Sequence, residues 1–485
     1  MTLLDTAIWR EKLYLDGWTA GSGGTYPVTE RATGKQLAAV GNATPDDVAR
    51  AAARAAEAQK EWAAKKPTER AAVLRKAGEL WEKHADEVQD WLVREAGSVR
   101  AKAAIETEMA AGICFEAAAL PTHPRGEVLS TSEPRWSFAR RLPVGVVSVI
   151  APFNFPLILS IRSVAPALAL GNAVLLKPDL RTAVSGGVTL VRVFEEAGLP
   201  AGLLQLLPGD AAVGAAVVDA PEVSVVSFTG STAAGRKVGE AAARALKRVH
   251  LELGGNNALV VLPGADVAAA ASAGAFGSFL HQGQICMTTG RHLVHESLVD
   301  EYVAALAEKA RALPVGDPAA GDVALGPIID DKQLAHIDRV VTDAVAAGAK
   351  VEAGGKADGP FYAPTVLSGL DAENPAWREE IFGPVAPVIA YRDLDEAARI
   401  VNDSEYGLSV GILGDVGTAM KLADLVHSGK VHINEQTVGD EPTAPFGGWK
   451  DSGNGSRFGG AQANIEAFTE TQWLTVRSDI AGYPF

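Results

Sequence analysis

Two textures of apolar patterning divide this chain. Near the N-terminus, Thr44-Pro45-Asp46-Asp47 supplies an N-cap, a first-turn proline and early acids, and opens a helix through an alanine-rich run to about Lys65. From Thr68 to about Glu95, apolar Val73, Leu80, Trp81, Val88 and Leu92 recur at helical spacing, which predicts a second, amphipathic helix ended by Gly97. Beyond Leu142 the pattern changes to short β-rich apolar runs between helical stretches: Val144 to Ala151, Ala173 to Leu176, Leu203 to Leu207, Val223 to Phe228 and Leu259 to Leu262. That alternation predicts an α/β fold, a doubly wound dinucleotide-type domain whose parallel strands are buried on both faces by crossover helices. A second α/β segment begins near Glu252, and Arg125 to Arg141 alternates in the manner of a hairpin. No internal repeat, low-complexity tract or flexible linker interrupts the pattern.

The segment Leu142 to Ile161 is free of charge and long enough to raise the question of a membrane span. Pro143, Pro152 and Pro156 answer it, since a strand, a loop and a helix start accommodate all three and a lipid-exposed helix does not. At 485 residues the length implies about three domains, and 47% hydrophobic residues suffice for large cores. A net charge of −15 opposes binding to nucleic acid or an anionic membrane. Residues Met1 to Glu11 lack the apolar core of a signal peptide and are expected to remain in the mature protein. Two cysteines, Cys114 and Cys286, form no disulfide framework or metal-ligand spacing, so no metal is expected and a reducing cytoplasm is the simplest compartment.

Cys286 follows Gly283-Gln284-Ile285, and Glu252 opens Glu252-Leu253-Gly254-Gly255. A cysteine is among the most commonly buried residues, and Cys114 in its alanine-rich segment reads that way. Around Cys286 the two residues before Ile285 imply a close backbone approach, with Ile285 and Met287 as apolar walls. A thiolate attacks electrophilic carbon near neutral pH, and a desolvated carboxylate such as Glu252 can later activate water. Asn154, inside Pro152-Phe153-Asn154-Phe155-Pro156, can donate its amide to an oxyanion; otherwise it is a turn asparagine. No GxGxxG follows any strand. The nearest substitute is Phe228-Thr229-Gly230-Ser231, where a strand gives way to a helix and N–H groups can meet a pyrophosphate. Lys177 and Glu380 are candidates for ribose hydroxyls, against a surface-charge reading for each. His281, His292 and His295 read as structural, and neither HExxH nor GxSxG occurs.

These motifs, with Lys177-Pro178, Glu379-Glu380-Ile381-Phe382-Gly383-Pro384 and Pro445-Phe446-Gly447-Gly448, occur in the order seen in the aldehyde dehydrogenase superfamily, which the chain resembles over nearly its whole length. The resemblance implies a Rossmann-like cofactor domain (1–122 and 143–251), an α/β catalytic domain (252–440) and a β-hairpin oligomerisation arm (123–142 and 465–485), assembled as a homodimer or homotetramer. It implies Cys286 as nucleophile, Glu252 as general base and Asn154 with the Cys286 N–H as oxyanion hole. Pro152, Phe153, Lys177, Gly209, Gly230, Ser231, Leu253, Glu380 and Phe382 would hold NAD or NADP. A thiohemiacetal on Cys286 would be oxidised to a thioester and then hydrolysed.

Two departures stand out. Leu180 occupies the position where NAD-selective members often carry a glutamate, so NADP is tolerated on this reading. Arg457 stands where the family's C-terminal Gly-Arg-Glu triplet has its glutamate. The block His281 to His292, with Lys177 to Ala183, resembles the benzaldehyde and vanillin dehydrogenase branch, so the expected substrate is an aromatic aldehyde seated among Phe153, Phe279, Ile285 and Met287. Core packing accounts equally for those four side chains. Alternatives are an aliphatic aldehyde or semialdehyde substrate, transfer to coenzyme A, against which Glu252 argues, and a catalytically silent homologue.

Overall fold

Four of the five apolar runs beyond Leu142 become neighbouring strands of one seven-stranded sheet, and the fifth, Leu259 to Leu262, falls in a second sheet. The structure, a computed structural model, describes residues 2–485. The sheet runs in the order Arg248–Glu252, Val223–Thr229, Val146–Ile150, Ala173–Lys177, Leu204–Leu206, Lys12–Tyr14 and Trp18–Ala20. Its first five strands are parallel, and the N-terminal pair adds antiparallel at one edge. Val146–Ile150 is buried at every position, as expected of a strand covered on both faces. Chain order reverses between Val146–Ile150 and Val223–Thr229, which opens a crevice at their carboxyl ends, the usual ligand position in such sheets.

A second seven-stranded sheet runs Lys350–Ala353, Thr365–Ser368, Val385–Tyr391, Thr289–His295, Asn257–Val261, Ser409–Leu413 and Lys430–Ile433, parallel except for its first pair. The alternating excursion forms two antiparallel strands, Gly126–Val128 and Trp136–Pro143. The latter also pairs with C-terminal Thr469–Val476, register Thr469 to Pro143 through Val476 to Trp136. The α/β class matches the expectation from sequence.

One expected helix is broken. Thr68 to Glu95 is split into Pro67–Lys83 and Ala85–Ala96, with His84 at φ −109° and ψ 18° between them. Asp86 and Glu87 lie in the first turn of the new helix, where carboxylates favour the positive end of its dipole. Val88 and Leu92 remain buried across the break, so apolar periodicity alone did not reveal it. Gly97 does end the second helix, in the left-handed region at φ 67°. The charge-free segment resolves into Val146–Ile150, a loop, and the largely buried helix Pro156–Ala169 with Pro156 in its first turn. Among the described residues no helix is long and apolar enough to cross a membrane.

Candidate active site

Cys286 sits in the turn before strand Thr289–His295, and the backbone entering it is strained. His281, Gln282 and Gly283 take φ of 49°, 56° and 66°. Each non-glycine residue there costs about 1–3 kcal/mol, which surrounding contacts must offset. Gln282 Nε2 donates to the carbonyls of Gly97 (3.1 Å) and Pro327 (2.9 Å), and Gln284 Oε1 accepts the Ile329 N–H at 3.0 Å. Asn257 Nδ2 donates to the carbonyls of Cys286 and Thr288, both at 2.8 Å. Gly283 is required sterically, because a Cβ there would lie 2.1 Å from the Gly383 carbonyl oxygen. Burial pushes the Cys286 thiol up to about 12; Lys430 and Arg162 act against that shift, Glu380 and Glu252 with it.

Glu252 ends its strand buried, and neither carboxylate oxygen has a hydrogen-bond partner among the described residues. Burial raises its pKa well above the carboxylate range, opposed by the charges of Arg162, Arg457 and Lys430. Such a group is poised to exchange a proton. Asn154 is buried in the loop after Val146–Ile150, and its carbonyl accepts from Lys102 Nζ at 2.7 Å. Lys102 is paired with Glu106 on helix Arg100–Ala119. Glu106 Oε2 accepts the N–H groups of Leu157 (3.1 Å) and Ile158 (3.4 Å), satisfying orphan donors at the start of the next helix. Lys102 and Glu106 thus hold the Asn154 loop where it enters helix Pro156–Ala169.

A cleft of about 420 Å³ opens at the switch point and brings together Pro152, Phe153, Asn154, Lys177, Gly230, Ser231, Leu253, Cys286, Glu380 and Phe382. Ser231 caps helix Thr232–Arg244, so the positive end of that helix faces the cleft. Lys177 Nζ has one hydrogen bond, to the Pro178 carbonyl at 3.3 Å, leaving donors for a ligand. Glu380 Oε1 accepts the Gly255 N–H at 2.9 Å, and burial raises its carboxyl to about 7. A Cβ on Gly254 would lie 2.3 Å from Glu380 Oε2. Phe382, at φ 51°, meets Phe153 edge-on at 5.9 Å, and the Arg181 guanidinium covers the Phe153 ring at 4.3 Å. A helix N-terminus and a lysine for phosphates, with a carboxylate for hydroxyls, fit a dinucleotide. Among the described residues no group of three or more His, Cys, Asp or Glu side chains could hold a metal.

Behind Cys286, Ile285, Met287, Leu408 and Phe446 form a small apolar cluster against which Phe155 and Val438 pack. Arg162 and Lys430 lie over the Phe446 ring at 4.3 and 4.4 Å. Ile285 and Met287 therefore belong to this side rather than to the cleft. Phe153 stands in the cleft, apart from that cluster. Phe279 is in the core of the second sheet with Leu259 and Tyr302, and Gly209 lies outside the cleft lining, just before helix Ala211–Asp219. His292 is held in the core by Tyr302 and Ser278, and His295 bonds Ser297 and the Arg392 carbonyl. Cys114 is buried, and burial pushes its thiol up to about 12.

Sequence reasoning missed Lys102, Glu106, Arg162 and Lys430. The first two left a signal, opposite charges four apart on an alanine-rich helix. Arg162 interrupts an otherwise apolar helix, whereas nothing local marks Lys430.

The model of the aldehyde dehydrogenase family matches residues 18–474. The chain is 62% identical to a vanillin dehydrogenase of Amycolatopsis sp. over 100% of both proteins. It is 46% identical to a benzaldehyde dehydrogenase [NAD(+)] of Pseudomonas putida, covering 99% of this chain and 98% of the relative. A solved salicylaldehyde dehydrogenase from Pseudomonas putida G7, complexed with salicylaldehyde, superposes with TM-score 0.94 at 37% identity over 98% of this chain and 99% of that one. With Cys286, the buried Glu252 carboxylate and the switch-point cleft already placed in the fold, these matches establish that the chain belongs to the aldehyde dehydrogenase family.

Proposed function

We propose that this enzyme oxidises an aromatic aldehyde to the carboxylic acid, and that one observation carries the reading: Cys286 lies between a dinucleotide-shaped cleft and an aromatic-containing apolar cluster, beside an unpartnered Glu252. The relatives that act on vanillin, benzaldehyde and salicylaldehyde support the same substrate class. Cys286 Sγ adds to the formyl carbon, and the Asn154 amide with the Cys286 N–H stabilises the resulting alkoxide. When bound, the nicotinamide supplies a cationic ring and the hydride acceptor. Lys177, Ser231 and Glu380 position the dinucleotide, and Phe153 and Phe382 wall its cleft. Glu252 then takes a proton from the water that cleaves the thioester, and its unpartnered oxygens leave room for that water.

Both NAD and NADP are accepted on this reading. Leu180 offers no carboxylate to a ribose 2′ position, and neighbouring Asp179 is occupied by Arg181 at 2.7 and 2.9 Å. The three-stranded sheet carries Trp136 and Trp473, both 65% exposed, which supports its role as an arm for a homodimer or homotetramer. On the same reading the domains are 1–122 with 143–251, 252–440, and 123–142 with 465–485, a division supported by the separation of the two seven-stranded sheets from the three-stranded one. The free thiols of Cys114 and Cys286 support a cytoplasmic location. The deciding experiment follows reduced nicotinamide with benzaldehyde, vanillin and a short aliphatic aldehyde, each with NAD and NADP. Higher kcat/KM for the aromatic pair is expected; preference for the aliphatic aldehyde would refute the substrate reading.

A further inference from the structure

Lys430 opens the edge strand Lys430–Ile433 and reaches the apolar cluster around Cys286. Its Nζ donates to the Gly439 carbonyl at 2.7 Å and contacts Met287 Sδ, the thioether one residue beyond the nucleophile. Among the described residues it forms no ion pair. Arg162, over the same Phe446 ring, is neutralised differently, by a direct pair with Asp440. The apolar cluster packed against Cys286 is therefore bordered by one paired cation and one unpaired cation. A largely desolvated ammonium with a spare donor and no carboxylate at ion-pair distance, Asp440 being taken by Arg162, is costly unless a ligand completes it. The loss is visible in its acidity, which burial moves down to about 8 while Asp440, Cys286 and Glu252 pull upward and Arg162 pushes further down.

Resting on the aromatic-aldehyde reading, we propose that Lys430 is a specificity residue for ring-hydroxylated substrates: its ammonium holds the phenolate oxygen of the aldehyde whose formyl carbon meets Cys286. The chemistry asks for such a group. A hydroxyl conjugated with the formyl group ionises readily, because its charge spreads onto the carbonyl oxygen. The same delocalisation makes the carbonyl carbon a poorer electrophile. An ammonium on the phenolate oxygen draws the charge back to that end of the ring, which strengthens binding and restores reactivity towards the thiolate. Phe446 and Met287 supply the apolar walls for the ring, and Lys430 supplies its polar end.

The test compares kcat/KM for 4-hydroxybenzaldehyde, 4-methoxybenzaldehyde and benzaldehyde in the wild type and in Lys430→Met. The methoxy compound has the same ring oxygen but cannot ionise. In the wild type, 4-hydroxybenzaldehyde should exceed 4-methoxybenzaldehyde by about tenfold or more, as expected for a charge-assisted bond. Lys430→Met should lower kcat/KM for 4-hydroxybenzaldehyde by about 10- to 100-fold more than for benzaldehyde, whose smaller fall reflects only the charge lost beside Cys286. A parallel fall for both substrates would overturn the proposal and assign Lys430 to the thiolate or to the fold. Equal wild-type rates for the hydroxy and methoxy compounds would overturn it without any variant that has to fold. A wild type that prefers hexanal to benzaldehyde would remove the aromatic reading itself. That outcome is distinct, because failure of Lys430 alone leaves benzaldehyde preferred.

Discussion

Two charged clusters lie near the candidate site, one against the Asn154 loop and one beside Cys286, and they differ in how completely they are satisfied. On one side, Lys102 is paired with Glu106, bonded to Ser98 Oγ at 3.1 Å and to the Asn154 carbonyl, while Glu106 accepts two helix N–H groups. On the other, Glu252 has no partner and Lys430 has no counter-ion, and the acidities of both move towards neutrality under burial. A saturated network inside a protein fixes geometry, whereas an unsaturated one keeps capacity for substrate, water and protons. The fold keeps the two apart: the first cluster anchors the Asn154 loop, and the second lies on the Cys286 side.

Perturbing each cluster should have a different signature. Glu252→Gln is expected to lower steady-state turnover by about 10²- to 10⁴-fold while preserving a burst of reduced nicotinamide equal to the enzyme sites. Stopped-flow absorbance checks it, and an unchanged steady-state rate would remove Glu252 from the base role. Asn154→Ala should lower kcat by about 10²- to 10³-fold with little change in unfolding midpoint, since it removes one oxyanion donor. Lys102→Met, by contrast, leaves Glu106 buried and unpaired and should destabilise the protein by about 3–5 kcal/mol in denaturant titration. Loss of activity in that variant should follow the loss of fold.

The smallest effect is with pH. Burial pushes the Cys286 thiol up to about 12 and holds the Glu252 carboxyl well above its usual range. Each must lose a proton to act, and each holds it to higher pH than in water, so activity should increase with alkalinity. For benzaldehyde, kcat/KM should rise from pH 6 to 8, by at most about tenfold per unit. A fall over that range would contradict these assignments.

Much of the site was legible before the fold. Apolar runs that stop at polar residues marked the strand ends leading to Lys177 and Ser231, while Asn154 and Glu252 were marked by their own motifs, and all four lie around the switch-point cleft or beside it. The break at His84 was not legible, because one non-helical residue leaves the apolar faces on either side aligned. Phe279 shows the limit of residue type as a guide. An aromatic close to the nucleophile in sequence points into the second core, since it ends a helix packed there, and not into the chamber.

By itself the sequence determined the α/β class and the order of the motifs, since each motif is written in contiguous residues, and the family resemblance those motifs carry is what proposes Cys286, Glu252 and Asn154 as nucleophile, base and oxyanion donor. Only the tertiary structure decided which charges surround them. Arg457, unexplained as a departure from the family pattern, brings its positive charge to bear on Glu252 while donating to the Ser456 and Gly448 carbonyls. Lys430 meets Met287 across 143 positions of chain. Electrostatic effects fall off with distance through space and with burial, and neither quantity exists until the sheets have packed.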